Sequence, residues 1–173
     1  YYLLKYKNWH GPCVRNIATT HLLDRVAEAF GETCYEVPVG FKHISAAMQE
    51  HNAVIGGESS GGLTVRGHIN GKDGIYAATL LVEMLSVTGK TMSQLMKEIY
   101  AEFGIAYMSE FDWPFDQEMK DQLHHLLMVE KQLPSFPIPV VATNYMDGCK
   151  VLFENGWIIA RFSGTEPRLR VFC

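Results

Sequence analysis

The 173-residue chain reads as two successive units, a layered α/β sandwich domain and then a smaller α+β domain. Three observations lead there. Over the first two-thirds, short apolar runs alternate with segments whose apolar residues recur every three or four positions. Pro134, Pro137 and Pro139 then interrupt any helix. Beyond them only strand-like runs remain. The change of character lies near residues 108–114, which divides the chain into domains 1–110 and 111–173.

Residues 14–18 form a strand pattern. Thr20 is placed to cap a helix whose Leu22, Leu23, Val26, Ala27 and Phe30 share one face, with Gly31 as its stop. Residues 34–39 make a second strand, Gly40-Phe41-Lys42 a loop and residues 43–51 a short helix. Residues 53–55 make a third strand, running into a glycine-rich turn. From Lys72, the spacing of Ile75, Ala78, Val82 and Leu85 predicts a helix with that stripe buried, ended by Gly89. Thr91 to Gln94 is a capping box for the next helix, whose inner face is Leu95, Met96, Ile99 and Phe103. A polar, aromatic connector (residues 109–114) leads to a helix with Phe115, Met119, Leu123 and Leu126 on one side. Strands follow at 140–145, 150–153, 157–162 and 169–172, and Asn155-Gly156 predicts a type I′ hairpin.

With 47% hydrophobic and 20% charged residues, the composition is that of an ordinary globular protein. No apolar run approaches the ~20 residues of a membrane span, and no signal-peptide pattern is present. A net charge of −4 and no basic stripe exclude a nucleic-acid platform. Cys13, Cys34, Cys149 and Cys173 are scattered, which points to free thiols in a reducing, cytoplasmic setting. The histidines are dispersed, and no metal site is written in the sequence. The chain begins without Met and stops inside an apolar run, so it is expected to be a piece of a longer protein.

Two loops concentrate chemistry. Gly56-Gly57-Glu58-Ser59-Ser60-Gly61-Gly62 follows a strand, and its glycines allow a tight turn and close approach to a ligand. A carboxylate accepting two hydroxyl hydrogens beside serine hydroxyls suits a sugar, although a solvated glycine-serine turn has the same composition. Arg161-Phe162-Ser163-Gly164-Thr165-Glu166-Pro167-Arg168 lies between two strands. It makes an anion-binding concavity flanked by guanidinium groups, and phosphate is the natural guest; the other reading is a hairpin with solvent-facing arginines. Lys42, after a glycine at a strand end, is within reach of a substrate oxygen or is a surface lysine. In Lys72-Asp73-Gly74, Asp73 opening a helix explains itself without a ligand.

Together these motifs resemble the α-D-phosphohexomutase family. Gly57 to Gly62 is similar to its sugar-binding loop, and Arg161 to Val171 to its phosphate-binding loop. Val39-Gly40-Phe41-Lys42 and Lys72-Asp73-Gly74 fall where the family has a GFK turn and a KDG helix start. The resemblance runs from about Val14 to Cys173 and covers the third and fourth of the family's four domains. It implies a layered α/β third domain and a fourth domain resembling TATA-binding protein, the latter truncated at Cys173.

The resemblance further implies sugar contacts from Glu58, Ser60 and Lys42, and phosphate contacts from Arg161, Ser163, Gly164, Thr165 and Arg168. Its activity would be interconversion of hexose 1-phosphate and hexose 6-phosphate through a bisphosphorylated sugar. Magnesium and a hexose 1,6-bisphosphate activator would serve the whole enzyme, none of them bound by this piece. Neither the family's phosphoserine loop nor its aspartate-rich metal loop occurs in this sequence, so no catalytic residue is expected here and the missing N-terminal domains would be the partner. The alternative is a stand-alone, non-catalytic phosphosugar-binding module.

Overall fold

The computed structural model describes residues 1–164 and 166–173. The chain forms two compact units, Tyr1–Ala106 and Tyr107–Cys173.

In the first unit, α1 (Tyr2–Lys5) precedes β1 (Cys13–Asn16), α2 (Leu22–Ala29), β2 (Cys34–Val37), α3 (Phe41–Glu50), β3 (Ile55–Gly57), β4 (Leu63–Val65), α4 (Gly74–Thr88) and α5 (Met92–Phe103). The sheet order is β2-β1-β3-β4; β1 is parallel to β2 and β3, whereas β4 returns antiparallel on β3. On one face, Ile44, Ala47 and Met48 of α3 pack with Val14 and Ala53. Tyr2 and Leu3 of α1 form a separate cluster with Val54 and Val65, joined by Tyr76, Leu80 and Met84 of α4. Thr20 Oγ1 accepts from the Leu22 N–H at 3.2 Å at the start of α2, and the capping box at Thr91 and Gln94 is formed in both directions.

Three expectations for this unit are corrected. Gly40 is the N-cap of α3, so Phe41 and Lys42 belong to the helix rather than to a loop. Gly56 and Gly57 belong to β3 rather than to the turn after it. A Cβ on Gly56 would stand 2.5 Å from Ile44 Cγ2 and 2.6 Å from Met48 Sδ, so α3 lies on the strand where only glycine fits. The stripe assigned to the buried face of α4 points outward: Ile75 is 83% exposed and Val82 63%. Apolar residues fall on every side of this helix, so their periodicity does not choose a face. Its partners do, because Tyr76 stacks on His68 at 3.9 Å and Glu83 accepts from Tyr2 OH and Lys7 Nζ, both at 2.7 Å.

The second unit comprises β5 (Glu110–Pro114), α6 (Gln117–His124), a π-helical turn (His125–Val129), β6 (Ala142–Asn144), β7 (Cys149–Phe153), β8 (Gly156–Phe162) and β9 (Arg168–Phe172). These strands form an antiparallel sheet of order β5-β9-β8-β7-β6. The expected connector at 109–114 is thus a strand, with Phe111 and Trp113 stacked at 5.5 Å. Phe115 falls before α6, and Met119 and Leu126 of its expected apolar side are exposed. The β7–β8 hairpin forms with Phe153 opposite Gly156, which puts Glu154 and Asn155 in the turn. Neither has a positive φ, so it is not the expected type I′. This register keeps Trp157 and Ile159 buried, and a one-residue slip would turn both outward.

Candidate functional site

In the first unit the connection from β1 to β2 and that from β2 to β3 leave in opposite directions, so β1 and β3 flank a topological switch point. The carboxyl ends of strands at such a point are where open α/β sheets bind ligands. Glu58 follows β3 there, and Asn16 ends β1.

The Glu58 side chain is only 6% exposed. Its Oε1 accepts from Asn16 Nδ2 and from the Gly40 N–H, both at 3.3 Å, and its Oε2 accepts from Lys72 Nζ at 3.0 Å. Asn16 is held in turn, because its Oδ1 accepts from Thr19 Oγ1 at 2.8 Å and from the Ala18 N–H at 3.0 Å. Thr19 Oγ1 also accepts from the Ser59 N–H at 3.0 Å. The loop closes on itself through Glu58 N–H to Gly62 O and Gly61 N–H to Glu58 O, both 3.0 Å, with Gly61 at φ +88.

A carboxylate has about four acceptor directions. With three donors in place, Glu58 retains room for one further bond, on Oε2, rather than the two hydroxyls expected. Ser60 is exposed and lines a cleft of about 450 Å³ with Gly61, Leu63, Lys72, Asp73 and Gly74. Lys42 is exposed in the first turn of α3.

Lys72 is better placed than sequence reasoning allowed. Its stem lies on Gly62, where a Cβ would meet Lys72 Cδ at 2.2 Å, and its Nζ stands 5.5 Å from the centre of the Phe41 ring. Asp73 caps α4, its Oδ1 accepting from the Ile75 and Tyr76 N–H groups at 3.0 Å, while Oδ2 pairs with His68 Nε2 at 3.0 Å. The Tyr76 N–H and then His68 hold the Asp73 carboxyl below its ordinary value. Asn16 and Thr19 were also missed; polar residues at the end of a central parallel strand were the available signal.

In the second unit, Ser163 is buried and Gly164 exposed at the turn between β8 and β9. Thr165 lies outside the described residues. The Ser163 N–H donates to Arg168 O at 2.9 Å, and the Glu166 N–H to Ser163 Oγ at 3.3 Å. Both arginines have acidic partners. Arg161 Nε donates to Asp147 Oδ2 at 3.0 Å, and Arg168 Nη1 to Asp112 Oδ2 at 3.1 Å, with Arg168 Nε 3.4 Å from Glu166 Oε2. Lys120 Nζ reaches the loop from α6, and nothing in the sequence pattern signalled it.

Among the described residues no three His, Cys, Asp or Glu side chains are grouped to hold a metal ion. No described helix is long and apolar enough to cross a membrane. Burial pushes the Cys34 thiol up to about 12, which keeps it protonated and un-nucleophilic.

Comparison with known proteins accords with this geometry. The family description "Phosphoglucomutase/phosphomannomutase, alpha/beta/alpha domain III" matches residues 1–103, and "Phosphoglucomutase/phosphomannomutase, C-terminal domain" matches residues 127–173. A phosphoglucomutase/phosphomannomutase of Thermococcus kodakarensis is 31% identical over 168 residues, covering 96% of this chain and 34% of its own length. A phosphomannomutase of Mycoplasma genitalium is 30% identical over 195 residues, covering 99% and 34%. A phosphoglucomutase/phosphomannomutase family protein from Burkholderia thailandensis shares the fold at TM-score 0.72 and 21% identity, over 98% of this chain and 34% of that one. The chain thus spans about a third of the length of these relatives. With both of its units matched in order, the chain belongs to the phosphoglucomutase/phosphomannomutase family.

Proposed function

We propose that this chain is the substrate-recognition part of a phosphohexomutase that interconverts hexose 1-phosphate and hexose 6-phosphate through a bisphosphorylated sugar. The observation that carries the reading is Glu58, a carboxylate oriented by three donors at the switch point of a parallel sheet and left with one open acceptor direction. That is the arrangement expected of a group that reads a hydroxyl.

Ser60 and Lys42 would add sugar contacts, and the turn bearing Arg161, Ser163, Gly164, Thr165 and Arg168 would hold the phosphate that is not being transferred. These residues bind and orient; none meets the moving phosphoryl group, so their contribution is positioning. In this reading magnesium, the phosphorylated serine and the hexose 1,6-bisphosphate activator belong to parts of the enzyme beyond these residues, and the enzyme works in the cytoplasm. The names of the relatives, phosphoglucomutase and phosphomannomutase, support it, as does the order of the four motifs.

The test is an NMR titration of this chain with glucose 1-phosphate. Binding is expected in the millimolar range, about 4 kcal/mol, with amide shifts around Glu58 and around Gly164. Absence of shifts at both loops at saturating ligand would overturn the reading. A coupled assay of the same material with glucose 1-phosphate and glucose 1,6-bisphosphate should show no turnover.

A further inference from the structure

Lys120 stands on the first turns of α6, whose start is fixed by Asp116 Oδ1 accepting from the Met119 N–H at 2.8 Å. Its ammonium donates to the backbone carbonyls of Ser163 at 2.8 Å and Glu166 at 3.2 Å, on either side of the crest of the turn. The Phe115 N–H donates to a third carbonyl of the same turn, Pro167 O, at 3.1 Å. Three carbonyls of one short loop are therefore held from a single six-residue stretch, residues 115–120, at the front of α6.

A turn that binds an anion must present its N–H groups to the ligand and keep its carbonyl oxygens away from it. Tethering the Ser163 carbonyl to a cation behind the loop serves this, because the same peptide unit then points the Gly164 N–H the other way; the Glu166 carbonyl belongs to the peptide before Pro167, which has no N–H, so holding it fixes the turn rather than aiming an amide. The charge itself also matters. Arg161 and Arg168 are paired with Asp147, Asp112 and Glu166, which offsets their charge, whereas the described bonds of Lys120 go to neutral carbonyls. Two guanidinium groups there meet three carboxylates, so the ammonium of Lys120 brings the set into balance, and among the described residues it has no carboxylate partner of its own.

We propose that Lys120 is a positioning residue for the phosphate loop, clasping the Ser163 and Glu166 carbonyls so that the turn offers the Gly164 N–H to the phosphate and is not left with an excess of negative charge. The proposal rests on the phosphate-binding reading of this loop.

The experiment titrates the chain with inorganic phosphate and follows the amide resonances of Ser163, Gly164 and Glu166, with thermal unfolding of each variant in parallel. Lys120→Met should weaken phosphate binding by about tenfold, equivalent to ~1.4 kcal/mol, with the melting temperature little changed. Lys120→Arg, which keeps the charge and two donors, should restore most of that affinity; a purely structural lysine would give no such charge-dependent rescue. Lys120→Gln keeps two N–H donors without the charge and should fall between, and it decides the question if the Met variant fails to fold. If the wild-type chain binds phosphate at this loop and Lys120→Met or Lys120→Gln binds it equally well, the role of Lys120 is overturned while the phosphate reading stands. If the wild-type loop itself ignores phosphate, both fall together.

Discussion

Gly62→Ala separates stability from ligand recognition. The φ of Gly62 lies outside the left-handed region, so alanine fits the backbone there, and the one obstacle is Lys72 Cδ, 2.2 Å from the new Cβ. That obstacle is a flexible side chain, and it would yield by swinging off Gly62 and losing its 3.0 Å contact with Glu58 Oε2. Replacing glycine by alanine stabilises by roughly 0.4–1 kcal/mol through the unfolded chain. The Lys72 side chain is 52% exposed, so its ion pair is worth only about 0.5–1 kcal/mol. The two cancel, and the melting temperature should move by no more than ~2 °C. Recognition does not cancel. Loss of one donor that orients Glu58 should cost about 1 kcal/mol, roughly fivefold in the dissociation constant for glucose 1-phosphate. The same titration in a Lys72→Ala background completes a double-mutant cycle, and there Gly62→Ala should have no further effect on affinity. Unchanged affinity in Gly62→Ala, or an undiminished loss in the Lys72→Ala background, would refute the link between Gly62, Lys72 and Glu58.

Asp73→Ala should lower the melting temperature at neutral pH by removing the cap of α4. Because the folded carboxyl lies below its ordinary 3.8, this stability is fully present above that value and lost as pH falls through the folded one. Wild type and variant should therefore converge in thermal melts at strongly acid pH and differ above pH ~4. Arg161→Ala should weaken glucose 1-phosphate and mannose 1-phosphate binding about equally, since phosphate carries no sugar identity, whereas Glu58→Ala should narrow any difference between them. Calorimetric affinities for the two epimers check this, and a ratio shifted by Arg161→Ala alone would mean that the two loops are misassigned.

The layered first unit was legible because its signals are local. The capping box at Thr91, the stop at Gly89 and the alternation of strands with helices each depend on a few neighbouring residues. What failed depended on partners remote in sequence. The rotation of α4 is set by Tyr2, Lys7 and His68, none of them in the helix. Residues 110–114 are a strand because β9 lies beside them, and their own polar, aromatic pattern says little. The site divides the same way. Glu58 was visible in a glycine-rich loop after a strand, but Asn16 and Lys72, which orient it, come from distant segments joined only by the sheet topology. Lys120 sits on an ordinary helix surface pattern, and its partners are backbone carbonyls that no side-chain motif reveals.

The return of the chain from β3 to β4 has a consequence for how such a protein can diverge. Gly57 is paired with Leu63, and the segment between them has an exposed tip at Ser59, Ser60 and Gly61. An insertion at that tip lengthens a closed loop at a small entropic cost and leaves the ladder beneath it untouched. An insertion one strand residue earlier, by contrast, would swing Ile55 onto the face where Ile44 and Met48 tolerate only Gly56. Length variation is thereby confined to the exposed tip of the loop, and under the proposed function that is where descendants of one scaffold would acquire different sugar preferences without reworking the layers that support them.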